Sequence, residues 1–196
     1  MNGPAETIRS FIALELSGQV REELARIIGI LKGSGADVKW MKPGSIHLTL
    51  KFLGNIPPEK AHEISDRLKD IAVNARPYSL TLDGIGVFPG WGYARVIWVG
   101  IGEGSLETSR LAGEIDKAMV EEGFEKEKRA FSPHLTLGRI RRAKTPSLWT
   151  GNSTAARTGC TSNSSRKKPI CGAPCCSIAA RLWNTGPARS PSFGTP

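Results

Sequence analysis

The chain has 196 residues and a formal net charge of +9, but six basic and no acidic residues lie in residues 145–196. Without that segment 21 basic and 18 acidic residues remain, so the overall charge is weak evidence for nucleic-acid binding. No apolar run is long enough to span a membrane, and the N-terminus lacks a basic-then-apolar signal, so we expect a cytoplasmic protein. Residues 1–144 contain no cysteine, so we expect this region to need no disulfide.

The first half of the chain predicts a strand, a helix, a motif strand and a second helix. The strand is the apolar run Phe11–Leu14, and the first helix follows a candidate cap at Ser17 and ends before Gly33. The apolar positions of this helix recur near every 3.6 residues, at Val20, Leu24, Ile27, Ile28 and Leu31. The tetrapeptide His-Leu-Thr-Leu follows at 47–50, and Pro58 opens a helix with a stripe of Ile64, Leu68 and Ile71.

The second half repeats this order. Alternation at Tyr78, Leu80 and Leu82 predicts a strand, and the glycines and prolines of residues 84–92 predict a turn. The run Val96–Val99 predicts another strand, which precedes a helix with apolar positions at Leu111, Ile115, Ala118 and Met119. A second His-Leu-Thr-Leu then occupies 134–137.

The two halves therefore share a strand, a helix and a motif in the same order. Phe11 lies 36 residues before His47, and Val96 lies 38 residues before His134. Two repeats are too few for a solenoid. We predict an α+β domain over residues 1–144, with two pseudo-symmetric lobes around a central cleft. Each lobe is expected to be a mainly antiparallel sheet with helices on its outer side.

The repeated tetrapeptide carries side chains suited to acid–base chemistry on a phosphate. Residues two apart in a strand share a face, so each copy pairs an imidazole with a hydroxyl, and the leucines face the core. One neutral and one protonated histidine can deprotonate water and protonate a leaving oxygen. Thr49 and Thr136 can donate hydrogen bonds to the charged phosphate oxygens. No carboxylate cluster suggests a metal, and we expect no cofactor.

Residues 145–196 differ from the rest of the chain. They are rich in Ser, Thr, Pro and Gly, and all four cysteines, Cys160, Cys171, Cys175 and Cys176, lie there. A basic disordered tail fits this composition. A zinc site fits less well, because two of the cysteines are adjacent and the segment has no histidine. We predict an irregular, aberrant tail.

A shifted reading frame is a further explanation for this tail. Read from the third base of each codon, residues 169–178 permit Asp-Leu-Trp-Arg-Ser-Val-Leu-Leu-His. The same frame forces an acidic residue after Trp149 and another after Trp183. The peptide encoded in the shifted frame has a strand-like alternation that the present sequence of the tail lacks. This difference suggests a change of reading frame near residues 145–149.

Several segments together resemble the two-histidine (2H) phosphoesterase superfamily, in particular its bacterial RNA 2',3'-cyclic phosphodiesterases, long called 2'-5' RNA ligases. The resemblance covers about residues 7–142. It rests on Ile8-Arg9-Ser10-Phe11-Ile12-Ala13, Trp40-Met41-Lys42-Pro43, the run from His47 to Gly54 (HLTLKFLG) and the run from Ser132 to Arg139 (SPHLTLGR). One His-x-Thr-x motif is weak evidence, whereas two separated copies with matching flanks are specific.

The resemblance implies that His47 is the proton donor, His134 the proton acceptor, and Arg139 part of the phosphate site. Arg139 lies five residues after His134, so a regular strand would point it away from the histidine face, and it needs a bulge or a strand end to reach the phosphate. Both threonines could instead be simple strand formers. We expect Lys51 and His62 to be solvated.

The predicted function is the opening of RNA-terminal 2',3'-cyclic phosphates to 2'-phosphates by metal-free two-histidine catalysis. The same site run in reverse would join RNA ends. The alternatives are a non-catalytic RNA- or nucleotide-binding module and an inactive product of a frameshifted gene. RNA ends or cyclic nucleotides are the expected substrates. We expect a monomer without an obligate protein partner.

Overall fold

The computed structural model describes residues 6–141 and 178–179. The strands are β1 (Ile8–Leu14), β2 (Val38–Trp40), β3 (Leu48–Ile56), β4 (Leu82–Phe88), β5 (Val96–Ile101), β6 (His134–Ile140) and β7 (Ile178–Ala179). The helices are α1 (Gly18–Lys32), α2 (Pro58–Asn74) and α3 (Ser105–Glu121).

The strands form two sheets in which every neighbouring pair is antiparallel. Sheet A has the order β3-β1-β7, and sheet B has the order β2-β6-β5-β4. Each motif strand pairs with the strand that opens its half of the chain: β3 with β1, and β6 with β5. This architecture confirms the predicted α+β class with antiparallel sheets.

All three helices bury the apolar stripes that their spacing predicts. The Ser17 hydroxyl accepts a hydrogen bond from the Val20 N–H and so caps α1, as the sequence suggests. Pro58 opens α2, where its missing N–H costs nothing. The buried residues of both halves form one continuous core, in which the helices contribute Val20, Leu24, Ile28, Ala61, Ile64, Leu68, Leu111, Ile115 and Met119.

The predicted strand at 78–82 is displaced. β4 begins only at Leu82, and the preceding residues run along the start of α3 instead. The Tyr78 hydroxyl lies 3.0 Å from the Thr108 hydroxyl, and the Thr81 N–H donates to the Glu103 carbonyl at 3.2 Å. The Gly102 N–H also donates to the Thr81 carbonyl at 2.9 Å. The alternation at 78–82 therefore reflects a segment that contacts α3 at Tyr78 and continues the pairing of β4 with β5 at Thr81.

One strand from the first half of the chain belongs to the sheet of the second half. β2 lies between α1 and β3 in the chain, yet it pairs with β6 in sheet B, where Trp40 is opposite Gly138. The chain then crosses to sheet A within the few residues before His47. The Met41 N–H donates to the Leu137 carbonyl at 2.9 Å, which fixes this crossing against the second motif.

Most of the predicted tail, from residue 145 on, lies outside the described residues, and so does the proposed frame boundary at 145–149. The exception is β7, in which Ile178 is opposite Leu14 and Ala179 is opposite Ala13. These two residues are all of the tail that the structure describes. Strand addition uses backbone N–H and C=O groups, so it needs no side-chain periodicity.

Candidate active site

The two motif histidines are held by the same hydrogen bond. Nδ1 of His47 donates to the Ser45 carbonyl at 3.1 Å, and Nδ1 of His134 donates to the Ser132 carbonyl at 2.8 Å. A carbonyl can only accept, so each bond requires a proton on Nδ1 and leaves Nε2 to exchange the second proton. His47 directly precedes β3, and His134 is the first residue of β6.

His47 is half-buried, and this burial affects its protonation. Burial lowers the pKa of His47 from its ordinary value of 6.5, because the imidazolium loses hydration, and the hydrogen bond to Ser45 opposes this shift. Without a bound anion, the site therefore favours the neutral form of His47. A phosphate placed beside it would favour the charged form again.

A β-bulge occurs at the same place in both motifs. In sheet A, Ile12 is opposite Lys51 but Ala13 is opposite Thr49, so Leu50 is the extra residue. In sheet B, Ile97 is opposite Gly138 and Trp98 is opposite Thr136, so Leu137 is the extra residue. Each bulge inserts one residue after the threonine and reverses the alternation of faces from that point on.

The bulges place the fifth residue after each histidine on the histidine face. In sheet A this residue is Phe52, which is 68% exposed and whose ring centroid lies 6.2 Å from that of Phe11. In sheet B it is Arg139, which is exposed and lies opposite Lys39 and Val96. The geometric condition for Arg139, a bulge between it and His134, is therefore met.

Aromatic rings surround both histidines. Phe11 stacks on His47 with ring centroids 4.5 Å apart and an interplanar angle of 20°. His134 meets Phe88 edge-on at 5.0 Å and Trp98 at 6.1 Å. The Trp98 ring covers Gly86, where a methyl group would collide with the indole. These rings limit the rotation of both imidazoles.

The threonines lie beside their histidines as the motif predicts. Thr49 and Thr136 are partly exposed, whereas Leu48, Leu50, Leu135 and Leu137 are at most 6% exposed, so each motif buries its leucines and presents His and Thr together. Strands β3 and β6 contact each other, which brings the two motifs to the same part of the molecule.

Lys51 does not face solvent, contrary to the prediction. Lys51 is only 5% exposed. Its ammonium donates to Asp116 Oδ1 at 2.5 Å and to the Glu125 carbonyl at 2.9 Å. Burial would raise the pKa of Asp116, but the Lys51 ammonium and the Glu127 N–H hold it below its ordinary value. The bulge at Leu50 causes this difference, because it turns Lys51 away from the histidine face.

The remaining candidates are placed as follows. His62 is exposed on α2, as expected. Trp40 and Phe131, two rings near the motifs, are partly buried and pack against the core. Sequence reasoning missed Phe11, Phe52, Phe88 and Trp98 as neighbours of the histidines. A signal existed for Phe52 alone, since it stands at the same offset from His47 as Arg139 from His134.

The described part of the chain offers neither an evident metal site nor a membrane-spanning helix. Within residues 6–141 no three His, Cys, Asp or Glu side chains gather closely enough to hold a metal ion. Each helix in this region is too short or too polar to span a bilayer. The expectations of metal-free catalysis and of no membrane partner remain predictions.

Comparison with known proteins gives a consistent result. A family model described as "LigT like Phosphoesterase" matches residues 14–98. A Methanothermobacter thermautotrophicus protein named RNA 2',3'-cyclic phosphodiesterase is 36% identical over 134 residues, which are 68% of this chain and 72% of that protein. An Aquifex aeolicus protein of the same name is 33% identical over 139 residues, 69% of this chain and 72% of that protein.

Solved structures agree with these sequence matches. E. coli LigT complexed with 3'-AMP has a TM-score of 0.55 and 27% identity, covering 70% of this chain and 76% of that one. The TT0787 protein of Thermus thermophilus has the same TM-score and identity over 69% of this chain and 75% of that one.

Proposed function

The chain belongs to the LigT-like (2H) phosphoesterase family, and from this premise we propose that it opens RNA-terminal 2',3'-cyclic phosphodiesters to 2'-phosphomonoesters. The family supports a phosphodiesterase activity. The choice of substrate draws on the name that the Methanothermobacter and Aquifex proteins share. A nucleotide is a suitable occupant of the cleft, since the similar E. coli protein was crystallised with 3'-AMP.

The observation that carries the proposal is the matched pair of Nδ1 hydrogen bonds. Both imidazoles are oriented by the carbonyl of the serine two residues earlier, so both offer Nε2 for proton transfer. A binding module needs a complementary surface but has no use for two imidazoles held in one tautomer. This arrangement favours catalysis over the alternative of a non-catalytic RNA- or nucleotide-binding module.

The proposed step is a hydrolysis with balanced proton transfer. His134 removes a proton from water, whose oxygen attacks phosphorus, and the bond from phosphorus to the ribose 3'-oxygen breaks. His47 gives its proton to that leaving oxygen, and a 2'-phosphomonoester remains. Each proton transfer is worth roughly 10²- to 10⁴-fold in rate. The role of each histidine follows the family resemblance.

The other proposed site residues act on the phosphate. Thr49 and Thr136 donate to its non-bridging oxygens, where negative charge grows in the transition state. Arg139 offers a planar guanidinium that can bind two phosphate oxygens at once. Phe52 occupies the equivalent place beside His47 and offers a ring face to a base. Substrate phosphate and base would thus meet opposite sides of the cleft.

A ligase activity would use the same site with an RNA 5'-hydroxyl in place of water. His134 would remove the proton of this hydroxyl, its oxygen would attack the phosphorus of the 2',3'-cyclic phosphate, and the bond from phosphorus to the 3'-oxygen would break. His47 would protonate the 3'-oxygen, and a 2'-5' phosphodiester would join the two ends. This reaction needs no nucleotide-binding lysine motif. We include it as a second proposed activity, measurable with the same preparation.

The experiment is an assay of the full chain with a 2',3'-cyclic mononucleotide, with and without EDTA. We expect a 2'-phosphomonoester as product and an unchanged rate in EDTA. Loss of activity in EDTA that a divalent ion restores would contradict the metal-free mechanism. Complete inactivity of a folded, monodisperse preparation would favour the damaged-gene alternative for residues 145–196. Light scattering of the same sample tests the expected monomer.

A further inference from the structure

The turn that joins β4 to β5 carries an unusual concentration of exposed rings. Phe88 is 36% exposed, Trp91 56% and Tyr93 63%, and the exposed Arg95 follows them. We call Phe88, Trp91, Tyr93 and Arg95 the hairpin platform. Only four aromatic side chains within residues 6–141 are exposed, and three of them belong to this platform. The fourth, Phe52, lies beside His47 in the candidate active site.

A cluster of this kind indicates a binding surface. Single exposed apolar residues are ordinary, but contiguous exposed rings are costly to keep in water and commonly mark recognition sites. The other exposed large apolar side chains in the described region, Ile30, Val73, Ile85, Leu106 and Val120, are aliphatic. Three of the four exposed rings of residues 6–141 are therefore concentrated in one turn, which begins at Phe88 beside His134.

The platform is continuous with the candidate active site. Phe88 stacks on Trp98, with ring centroids 5.1 Å apart and an interplanar angle of 28°. The Phe88 and His134 rings also form an edge contact, with ring centroids 5.0 Å apart and an interplanar angle of 83°. A molecule whose reacting group sits at His134 would therefore meet the platform directly beside it.

The backbone holds the platform in place. The Tyr93 N–H donates to the Gly90 carbonyl at 3.1 Å, and the Arg95 N–H donates to the Phe88 carbonyl at 2.8 Å. The Arg95 carbonyl accepts from the Ile140 N–H at 2.9 Å, which ties the turn to the end of β6. The rings are thus presented by an anchored turn, and a ligand would lose less free energy in ordering them.

The charge of the platform suits a nucleic-acid strand. The Arg95 guanidinium lies over the Tyr93 ring, 5.1 Å from its centroid. Its edge remains able to donate to a phosphate while its face stacks. Arg139 and Lys39 are opposite each other in sheet B and add positive charge on the histidine face. Proteins that hold single strands combine stacking rings with cationic groups in this way.

We propose that the hairpin platform binds the nucleotides that precede the cyclic phosphate in an RNA strand. This inference rests on the proposed function, in which the terminal nucleotide occupies the site between the histidines. That nucleotide continues into the strand only through its 5'-oxygen, so the upstream bases must leave the cleft across a neighbouring surface. Trp91 and Tyr93 stack these bases, and Arg95 contacts the linking phosphate.

The test compares two substrates that differ only in length. One is a 2',3'-cyclic mononucleotide, and the other is a short oligoribonucleotide that ends in a 2',3'-cyclic phosphate. For the Trp91→Ala/Tyr93→Ala double variant we expect kcat/KM on the oligonucleotide to fall by about 30-fold or more, because two rings that each stack one base are lost. We expect kcat/KM on the mononucleotide to stay unchanged, because it has no upstream base.

Two further variants sharpen this comparison. Trp91→Phe/Tyr93→Phe keeps the ring faces and should retain most of the oligonucleotide activity. Leu106→Ala removes an exposed apolar side chain on α3 and should change neither activity. Arg95→Gln should reduce the dependence of oligonucleotide binding on salt, by about one phosphate contact.

A binding measurement keeps the inference testable if hydrolysis fails. Calorimetric titration with an oligoribonucleotide that ends in a 2'-phosphate needs no turnover, and the double variant should bind it about 10-fold or more weakly. Equal losses on both substrates would assign the platform to the catalytic site and overturn the inference. Unchanged binding would also overturn it, and a parent dimer that the double variant dissociates would assign the platform to contacts between copies of the chain.

Discussion

Phe52 and Arg139 occupy equivalent places in the two halves of the molecule. Each lies five residues after its histidine, and each reaches the histidine face because a bulge at Leu50 or Leu137 inserts one residue after the threonine. The repeat is therefore structural as well as sequential, but the two equivalent residues differ in chemistry. One half presents a ring and the other a cation, so the two halves of the candidate site offer different groups to a ligand.

The first prediction concerns the histidines. His47→Ala and His134→Ala should each lower kcat on a 2',3'-cyclic mononucleotide by about 10²- to 10⁴-fold or more, because each removes one proton transfer. Product formation under single-turnover conditions gives the measurement. His62→Ala, on the exposed side of α2, is the matched control and should leave the rate unchanged. Full activity in either motif variant would rule out the two-histidine mechanism.

The second prediction concerns the hydroxyls. Thr49→Ala and Thr136→Ala should keep partial activity, with kcat lowered by up to about a thousandfold, because one phosphate donor is lost while both proton transfers remain. Thr49→Ser and Thr136→Ser keep the donor and should recover most of the rate. If the serine variants are as slow as the alanine variants, the threonines act through packing rather than through a hydrogen bond.

The third prediction concerns pH. The rate should be bell-shaped, because one imidazole must be charged and the other neutral. Burial lowers the pKa of His47 in the empty site, and a bound phosphate anion favours its protonated form. The alkaline limb of kcat should therefore lie at higher pH than that of kcat/KM. Coincident limbs would show that the substrate does not charge this histidine.

Stability provides an independent check on the same shift. Because the pKa of His47 is lower in the folded chain than in the unfolded chain, the unfolded state binds the proton more readily. The contribution of His47 to the free energy of unfolding is thus complete above about pH 6.5, the ordinary histidine value, and is lost as the pH falls through the folded pKa. His47→Gln should flatten this part of the stability profile.

The fourth prediction concerns Lys51. Lys51→Met should lower the free energy of unfolding by about 3–5 kcal/mol, because it leaves the Asp116 carboxylate in a largely enclosed place without its cation. Denaturant melts give the measurement. Lys69→Met breaks the Lys69–Asp66 pair, whose side chains are 72% and 75% exposed, and should cost about 1 kcal/mol or less. Similar losses in both variants would contradict the structural role of Lys51.

The fifth prediction concerns the C-terminal segment. One base inserted near codon 147 should give a C-terminus that reads Leu-Trp-Arg-Ser-Val-Leu, with higher soluble yield, a higher denaturation midpoint and higher kcat/KM. The physical reason is that a longer strand could cover more of the β1 edge than Ile178–Ala179 does. A chain truncated after residue 144 is the control. A restored chain no better than the truncated one would argue against the frameshift.

Sequence periodicity is sufficient to predict the helices and strands whose apolar residues follow a regular spacing. The apolar stripes of α1, α2 and α3 and the alternating motif strands appear where the spacing predicts them, because local backbone geometry determines which side chains share a face. Both histidines and both threonines can be named from the motif alone.

The errors arise where a distant contact or a backbone irregularity decides the outcome. The bulges at Leu50 and Leu137 have no local signal, so the sequence predicts the wrong face for Lys51. Phe52 is indicated only by the offset from its histidine that it shares with Arg139. The ion-pair partner of Lys51 is Asp116, 65 positions away in the chain, and the residues around Lys51 do not predict this contact. Gly138 is the equivalent of Lys51 in sheet B, and it is small because a methyl group there would lie 2.6 Å from Val38 Cγ1.

The exchange of β2 has a consequence for how this protein can be divided. β2 is made by the first half of the chain but completes the sheet of the second half, opposite β6. The duplicated halves are therefore not modular: a fragment ending after α2 would carry a strand without its sheet, and a fragment beginning at β4 would have an uncovered β6. The repeat must fold as a whole, and shuffling one half between relatives would require β2 and β6 to be transferred together.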